Sequence, residues 1–189
     1  MTGAVIAAVV VMLLVAGFLL GYNRLVTLRN RARAAWHDID VYLRRRHNLV
    51  PNLVETVKAY AEHERGVFEH VTALRSQAVA VEERGAPDEV ASAEADLAEA
   101  MEQLFAVAEA YPDLKADERF RALQDELTAT ENKIAFSRQL YNDTVTSYRT
   151  ATESVPLVLI AKPFGFDAPA LFATDGDERS PVRVDLDRS

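Results

Sequence analysis

The chain has 189 residues, a formal net charge of −8 and no cysteine. The missing cysteine excludes disulfides, thiolate metal sites and cysteine nucleophiles, and the acidic balance argues against nucleic acid as a partner. Glycine and proline are scarce, at seven each, which favours a helical protein with one domain of ordinary size.

The N-terminus carries an uncharged apolar stretch that extends from Thr2 to Asn23, with the first charge at Arg24. As a helix it would measure roughly 33 Å, enough to cross the hydrocarbon core of a bilayer. No Lys or Arg precedes the apolar run, which favours an uncleaved anchor over a cleavable signal peptide. We therefore predict that residues 1–23 form a transmembrane anchor in a bacterial cell membrane.

A basic segment follows the anchor, because residues 22–46 hold seven arginines against Asp38 and Asp40. The positive-inside rule then places the N-terminus outside and the following domain in the cytoplasm. The arginines nearest the anchor either contact anionic lipid headgroups or only solvate a helix face. These candidate headgroup contacts are Arg24, Arg29, Arg31 and Arg33.

Four helices are predicted between residues 24 and 153. The first continues from the anchor and ends near Arg46, and the second extends from about Val50 to Arg84 on a heptad seam that includes Glu64. The third covers about Asp88–Tyr111 and the fourth about Ala116–Glu153. Short links between amphipathic helices predict an all-α fold in which the anchor helix continues into an antiparallel up-down four-helix bundle. The second helix is longer than the first, so either it bends near Gly66 or the bundle leans on the membrane surface.

Two segments follow the fourth helix. Residues 154–173 are apolar but interrupted by proline and glycine, and we expect them to pack on the bundle. Residues 174–189 are polar, charged and without periodicity, which predicts a disordered tail.

Several short motifs along this helical framework are characteristic of a known family. They include Trp36, Asp40-Val41, Pro51-Asn52-Leu53-Val54 and Tyr111-Pro112, and further Tyr22-Asn23, Arg29-Asn30, His63-Glu64, Thr130-Glu131-Asn132 and Tyr141-Asn142. In order and spacing they resemble those of LemA-family proteins, over about residues 1–170.

The resemblance implies a bacterial membrane protein with one N-terminal span and an antiparallel helical bundle. It implies no catalytic residues, since no enzymatic activity is established for the family. The chain departs from the family pattern at Tyr148-Arg149 and at Val155-Pro156, both near the end of the fourth helix.

Motifs for common enzyme chemistry are missing from the sequence. No Glu precedes a histidine by three residues, and neither HExxH nor the glycine-rich phosphate and dinucleotide motifs occur. We therefore predict no catalytic residue, no metal site and no cofactor. His63 and His70, seven residues apart, are more readily explained as solvated side chains than as metal ligands.

Glu64 is a carboxylate on an otherwise apolar seam. It is predicted to form a buried polar pair that fixes helix register, with Arg138 or Arg46 as the candidate partner. Trp36 is predicted to pack in the core.

The predicted function is that of a non-enzymatic membrane-anchored scaffold or adaptor for another envelope protein. The first alternative is a self-assembling structural membrane protein, because heptad seams also pair between molecules. The second alternative is a metal- or ligand-binding bundle that uses His63, His70 and Glu64.

Overall fold

The computed structural model describes residues 1–84 and 86–173. This part of the chain is helical and contains no strand, which confirms the all-α prediction; the tail predicted over residues 174–189 lies outside it. The antiparallel four-helix arrangement stays a prediction. The helices are α1 (Thr2–Lys58), α2 (Arg65–Glu82), α3 (Pro87–Glu109), α4 (Pro112–Ala116), α5 (Glu118–Glu153) and α6 (Val158–Ala161).

Helix α1 is one continuous helix of 57 residues that includes Pro51. The continuation from the anchor into the first soluble helix is confirmed. The predicted helix end near Arg46 and restart near Val50 are wrong, because the chain stays helical through the proline. An apolar window near the start of α1 has a mean hydropathy of 2.9 and is not buried, so α1 is long and apolar enough to cross a membrane.

The first turn of the chain lies at residues 59–64, between α1 and α2. The amides of Tyr60 and Ala61 both donate to the Val57 carbonyl, at 3.0 Å each, and this tightens the last turn of α1. The predicted single helix from Val50 to Arg84 is therefore wrong. Its break falls just before Gly66, which lies in the first turn of α2.

The chain forms two compact units, and the first contains Met1–Arg46 and Glu126–Leu171. Within it α1 and α5 run antiparallel. The rings of Trp36 and Tyr141 lie 5.4 Å apart, while Leu25 shares a buried cluster with Tyr148, further along α5. The predicted seam of α5 is confirmed at Thr130 and Ser137, which are buried between its apolar residues.

The second unit contains His47–Asp125 together with Phe172 and Ala173. Here α2 packs against α3, with Val71 and Ala78 of α2 and Leu97 and Leu104 of α3 fully buried. The short helix α4 was not predicted. It begins at Pro112, a favoured residue for a first helical turn.

Within the first unit, residues 154–171 fold back onto α1 and α5. The side chains of Ile160, Ala161 and Phe166 share a buried cluster with Leu25 of α1 and Tyr148 of α5. The segment therefore lies at the point where the apolar stretch of α1 ends.

Candidate functional site: the buried cluster around His47

His47 is the centre of a buried ionic cluster in the second unit. Its Nε2 atom lies 2.6 Å from Glu94 Oε1 and its Nδ1 atom lies 3.2 Å from Glu82 Oε2. The side chains of His47, Glu82 and Glu94 are 3%, 7% and 4% exposed. A single imidazole thus connects α1, α2 and α3 through charge-assisted contacts.

The backbone of His47 takes part in the same cluster. Pro51 has no amide hydrogen, so a helix that continues through it leaves the carbonyl four residues earlier, that of His47, without its helical donor. The Arg75 Nε–H group donates to this carbonyl oxygen at 2.6 Å. This side-chain bond replaces the missing helical bond and explains why α1 tolerates a proline in its interior.

Both polar atoms of the His47 imidazole have a partner, because each ring nitrogen faces a buried carboxylate oxygen. The Arg75 side chain meets the same residue at its backbone carbonyl. The arrangement stabilises a fixed helix register and contains no nucleophile, so its chemistry is that of a structural ionic cluster.

The predicted buried pair of Glu64 and Arg138 is not buried. Glu64 is the N-cap residue of α2 and is only half-buried, because α1 ends before it and the predicted seam does not extend through it. Arg138 is exposed on α5. Arg46, the other candidate partner, is buried and instead pairs with Glu131, with its Nη1 atom 2.7 Å from Oε1.

The candidate headgroup arginines differ in their surroundings. Arg24, Arg31 and Arg33 are exposed, whereas Arg29 is half-buried and its guanidinium carbon lies 4.9 Å from the centre of the Phe166 ring. On an upright helix Arg33 lies about 14 Å further along the axis than Arg24. That exceeds the screening length of roughly 8 Å at physiological salt, so lipid contact stays a prediction best supported for Arg24.

The two histidines considered as metal ligands do not lie on one helix. His63 belongs to the turn before α2, and His70 lies within α2; both are exposed. Among residues 1–84 and 86–173, no group of three or more potential ligands is arranged to hold a metal ion.

Asp117 caps the start of α5. Its Oδ1 atom accepts from the Arg119 amide at 2.7 Å and from the Phe120 amide at 3.1 Å, and its Oδ2 atom accepts from the Tyr60 hydroxyl at 2.9 Å. The Phe120 amide, followed by the Tyr60 hydroxyl, lowers the pKa of Asp117. The same hydroxyl bond to Asp117 raises the pKa of Tyr60, so the pair joins the end of α1 to the start of α5.

Two large apolar side chains are exposed on the outer face of α5. Phe136 is 67% exposed and Leu140, one turn later, is 44% exposed. They lie outside the buried seam that includes Ile134, Ser137 and Tyr141. Because they are neighbours on one side of the helix, they form a small contiguous apolar patch rather than two isolated exposed residues.

A sequence profile of the LemA family matches residues 35–186. The chain belongs to the LemA family. This LemA-family chain is similar to magnetosome protein MamQ of Magnetospirillum gryphiswaldense, with 26% identity over 171 residues that cover 78% of this chain and 63% of the relative. It is also similar to magnetosome proteins MamQ 1 and MamQ 2 of Paramagnetospirillum magneticum, each 25% identical over 201 residues that cover 94% of this chain and 74% of the relative.

The LemA-family chain spans less than two thirds of the length of the first of these relatives. Family membership together with the apolar N-terminal helix indicates a membrane-associated protein.

Sequence reasoning missed the His47 cluster, although one signal for it was present. Pro51 lies four residues after His47 within an apolar helical pattern, where the proline by itself favours a new helix start near Val50. A proline kept inside a helix instead calls for an outside donor to the fourth preceding carbonyl. The carboxylates that contact the imidazole are distant in sequence, and no local pattern identifies them.

Proposed function

We propose that this LemA-family chain is a non-enzymatic, membrane-anchored scaffold that recruits another protein of the same membrane. The observation that carries the proposal is the exposed apolar pair Phe136 and Leu140 on the outer face of α5. We call these two side chains the α5 patch. An aromatic and a branched aliphatic side chain one turn apart form the kind of anchor that fills a groove on a partner.

The position of the α5 patch suits a partner that is also held in the membrane. Helix α5 contacts α1 through the cluster of Leu25 and Tyr148, close to the apolar stretch. Phe136 lies twelve residues before Tyr148, or about 18 Å along the helix. A partner domain directly above the bilayer reaches this height without a long linker. The positive-inside rule places this surface in the cytoplasm.

The buried ionic clusters support a scaffold over an enzyme. His47 lies between two carboxylates that are themselves buried, and Arg46 is 3% exposed where it meets Glu131. These groups are directed at one another rather than into an open cleft, which supports a structural role for them.

Affinity purification from native membranes tests this function. We compare the full-length chain with the double variant Phe136→Ser/Leu140→Ser and with the matched control Asn132→Ser/Gln139→Ser, whose positions are exposed on the same helix. We expect a membrane protein that is enriched with the full-length chain and the control and lost with the patch variant.

Two outcomes contradict the proposal. If the patch variant recovers the same proteins as the control, the α5 patch is not the docking surface. The second outcome is that the α5 patch binds only a second copy of this chain. The full-length chain is then an oligomer in detergent, the patch variant has the mass of a monomer, and the chain is a self-assembling structural protein.

A further inference from the structure

The segment that follows α5 exposes large apolar side chains beside the anchor. Val155 is 82% exposed, Leu159 is 73% exposed and Phe164 is 52% exposed. They occur within ten residues, around a helix whose other face is buried through Ile160 and Ala161. One side of the segment therefore packs on the protein, while Val155, Leu159 and part of Phe164 present apolar surface to the outside.

Close packing fixes this segment to the end of the apolar stretch of α1. A Cβ atom added to Gly21 would lie 2.8 Å from Leu157 Cδ2 and 2.9 Å from Ile160 Cδ1, so the glycine permits the approach. The Phe164 ring lies 5.7 Å from that of Phe18.

A glycine turn holds the other end of the segment. Gly165 has a φ of 65°, in the left-handed region, and the Phe166 amide donates to the Ala161 carbonyl at 3.0 Å. This pattern is typical of a helix C-terminus. It directs the Phe166 ring back to within 5.3 Å of Tyr22, while Phe164 stays at the surface.

These contacts set the height of the segment relative to a bilayer. A span of about 20 residues covers the hydrocarbon core, so one that begins near Thr2 ends close to Gly21. The segment contacts α1 from Phe18 to Tyr22, which places it at the boundary between acyl chains and headgroups. Arg24 follows the apolar stretch directly, and Lys162 lines a surface pocket with Arg149 and Asp167; both cations are exposed.

We propose that residues 155–164 form a second, interfacial contact with the bilayer that the anchor crosses. Val155, Leu159 and Phe164 enter the top of the acyl-chain layer, and the cations of Arg24 and Lys162 meet lipid phosphates. The contact holds the soluble part in a fixed orientation on the membrane, as interfacial amphipathic segments do. The proposal rests on the anchor spanning the bilayer and not on any protein partner.

The absence of cysteine in the chain makes a depth measurement direct. Single cysteines replace Leu159, Phe164, Leu140 or Leu13 in the full-length protein and receive an environment-sensitive fluorophore. The protein is reconstituted in vesicles of phosphatidylcholine and phosphatidylglycerol that carry a spin-label quencher near the top of the acyl chains or on the headgroup. Leu13 lies within the apolar stretch and reports the span, while Leu140 is an exposed apolar control on α5.

We expect the acyl-chain quencher to act at positions 159 and 164 at least about threefold more strongly than at position 140, because an interfacial segment enters the bilayer by roughly 5–10 Å. The proposal is overturned if the acyl-chain quencher acts at positions 159 and 164 no more strongly than at position 140. It is also overturned if only the headgroup quencher acts at positions 159 and 164. In both cases, quenching at position 13 shows that the anchor still spans the bilayer. If neither lipid quencher acts at position 13, the anchor does not span the bilayer. The interfacial contact, which depends on that span, is then overturned as well.

Discussion

The Arg75 guanidinium donates a hydrogen bond of 2.6 Å to the carbonyl oxygen of His47. That carbonyl is the one that Pro51 leaves without a helical donor. A side chain of α2 therefore replaces a backbone bond of α1, and the continuity of α1 depends on the packing of another helix.

The dependence between Arg75 and Pro51 is measurable as a double-mutant cycle. We expect Arg75→Met to lower the free energy of unfolding of the detergent-solubilised protein by about 1–3 kcal/mol, because a buried carbonyl loses its donor. In the Pro51→Ala background, the backbone amide of residue 51 donates to the His47 carbonyl. Arg75→Met therefore lowers the free energy of unfolding by at least about 1 kcal/mol less in that background than in the parent chain. Arg65→Met, at an exposed position of the same helix, is the control; equal costs of Arg75→Met in both backgrounds contradict the compensation.

The buried cluster around His47 is sensitive to the loss of one partner. Glu94→Ala leaves the imidazole without its 2.6 Å contact, and removal of one partner of a buried ion pair costs about 3–5 kcal/mol. Glu99→Ala on the exposed side of α3 is expected to change stability by less than about 0.5 kcal/mol. Chemical denaturation followed by circular dichroism compares the two, and similar midpoints for both variants contradict the structural role of the cluster.

Two buried tyrosines are expected to respond in opposite ways to loss of the hydroxyl. Tyr148 is fully buried, its hydroxyl has no hydrogen-bond partner among the residues that the structure describes, and burial raises its pKa. Tyr148→Phe is therefore expected to leave the thermal midpoint unchanged or to raise stability by up to about 1 kcal/mol. Tyr141 donates to the Ala170 carbonyl at 2.8 Å, so Tyr141→Phe should cost about 1 kcal/mol. A larger loss at Tyr148 than at Tyr141 would refute this assignment.

Asp117 is expected to make stability dependent on pH in acid. Because the Phe120 amide and the Tyr60 hydroxyl lower its pKa in the folded state, its stabilising effect is complete above its unfolded pKa of about 3.9 and is lost as the pH falls through the lower folded value. Asp117→Asn keeps a capping oxygen but does not titrate. Between about pH 4 and pH 2 the parent chain should lose stability more steeply than this variant, whereas Asp125→Asn, at an exposed position of α5, should follow the parent. Parallel pH curves for the parent and Asp117→Asn would exclude the effect.

The sequence was sufficient for features that depend on periodicity. The seam of α5 through Thr130, Ser137 and Tyr141 follows from apolar spacing, and these residues are buried as predicted. The apolar stretch that starts α1 was equally clear, because its length and hydropathy are local properties of the chain.

Features that depend on tertiary contacts were not predicted. Pro51 has the local properties of a helix start, and only the Arg75 side chain, 24 positions later in the chain, makes it tolerable inside α1. The spacing of Glu64 fits a continued heptad seam, but the helix that carries this seam ends at Lys58. The chain leaves the helix there through the tight turn at Tyr60, which is also bonded to Asp117.

Photocrosslinking in intact cells tests whether the α5 patch binds another protein in the membrane. A photoreactive residue replaces Phe136 in the full-length chain, and Glu69, which is exposed on α2, serves as the control position. If the α5 patch is the docking surface, position 136 captures one foreign membrane protein reproducibly, identified by mass spectrometry, and position 69 does not. Crosslinks at 136 that match the background at 69, or that join only copies of this chain, would contradict this role.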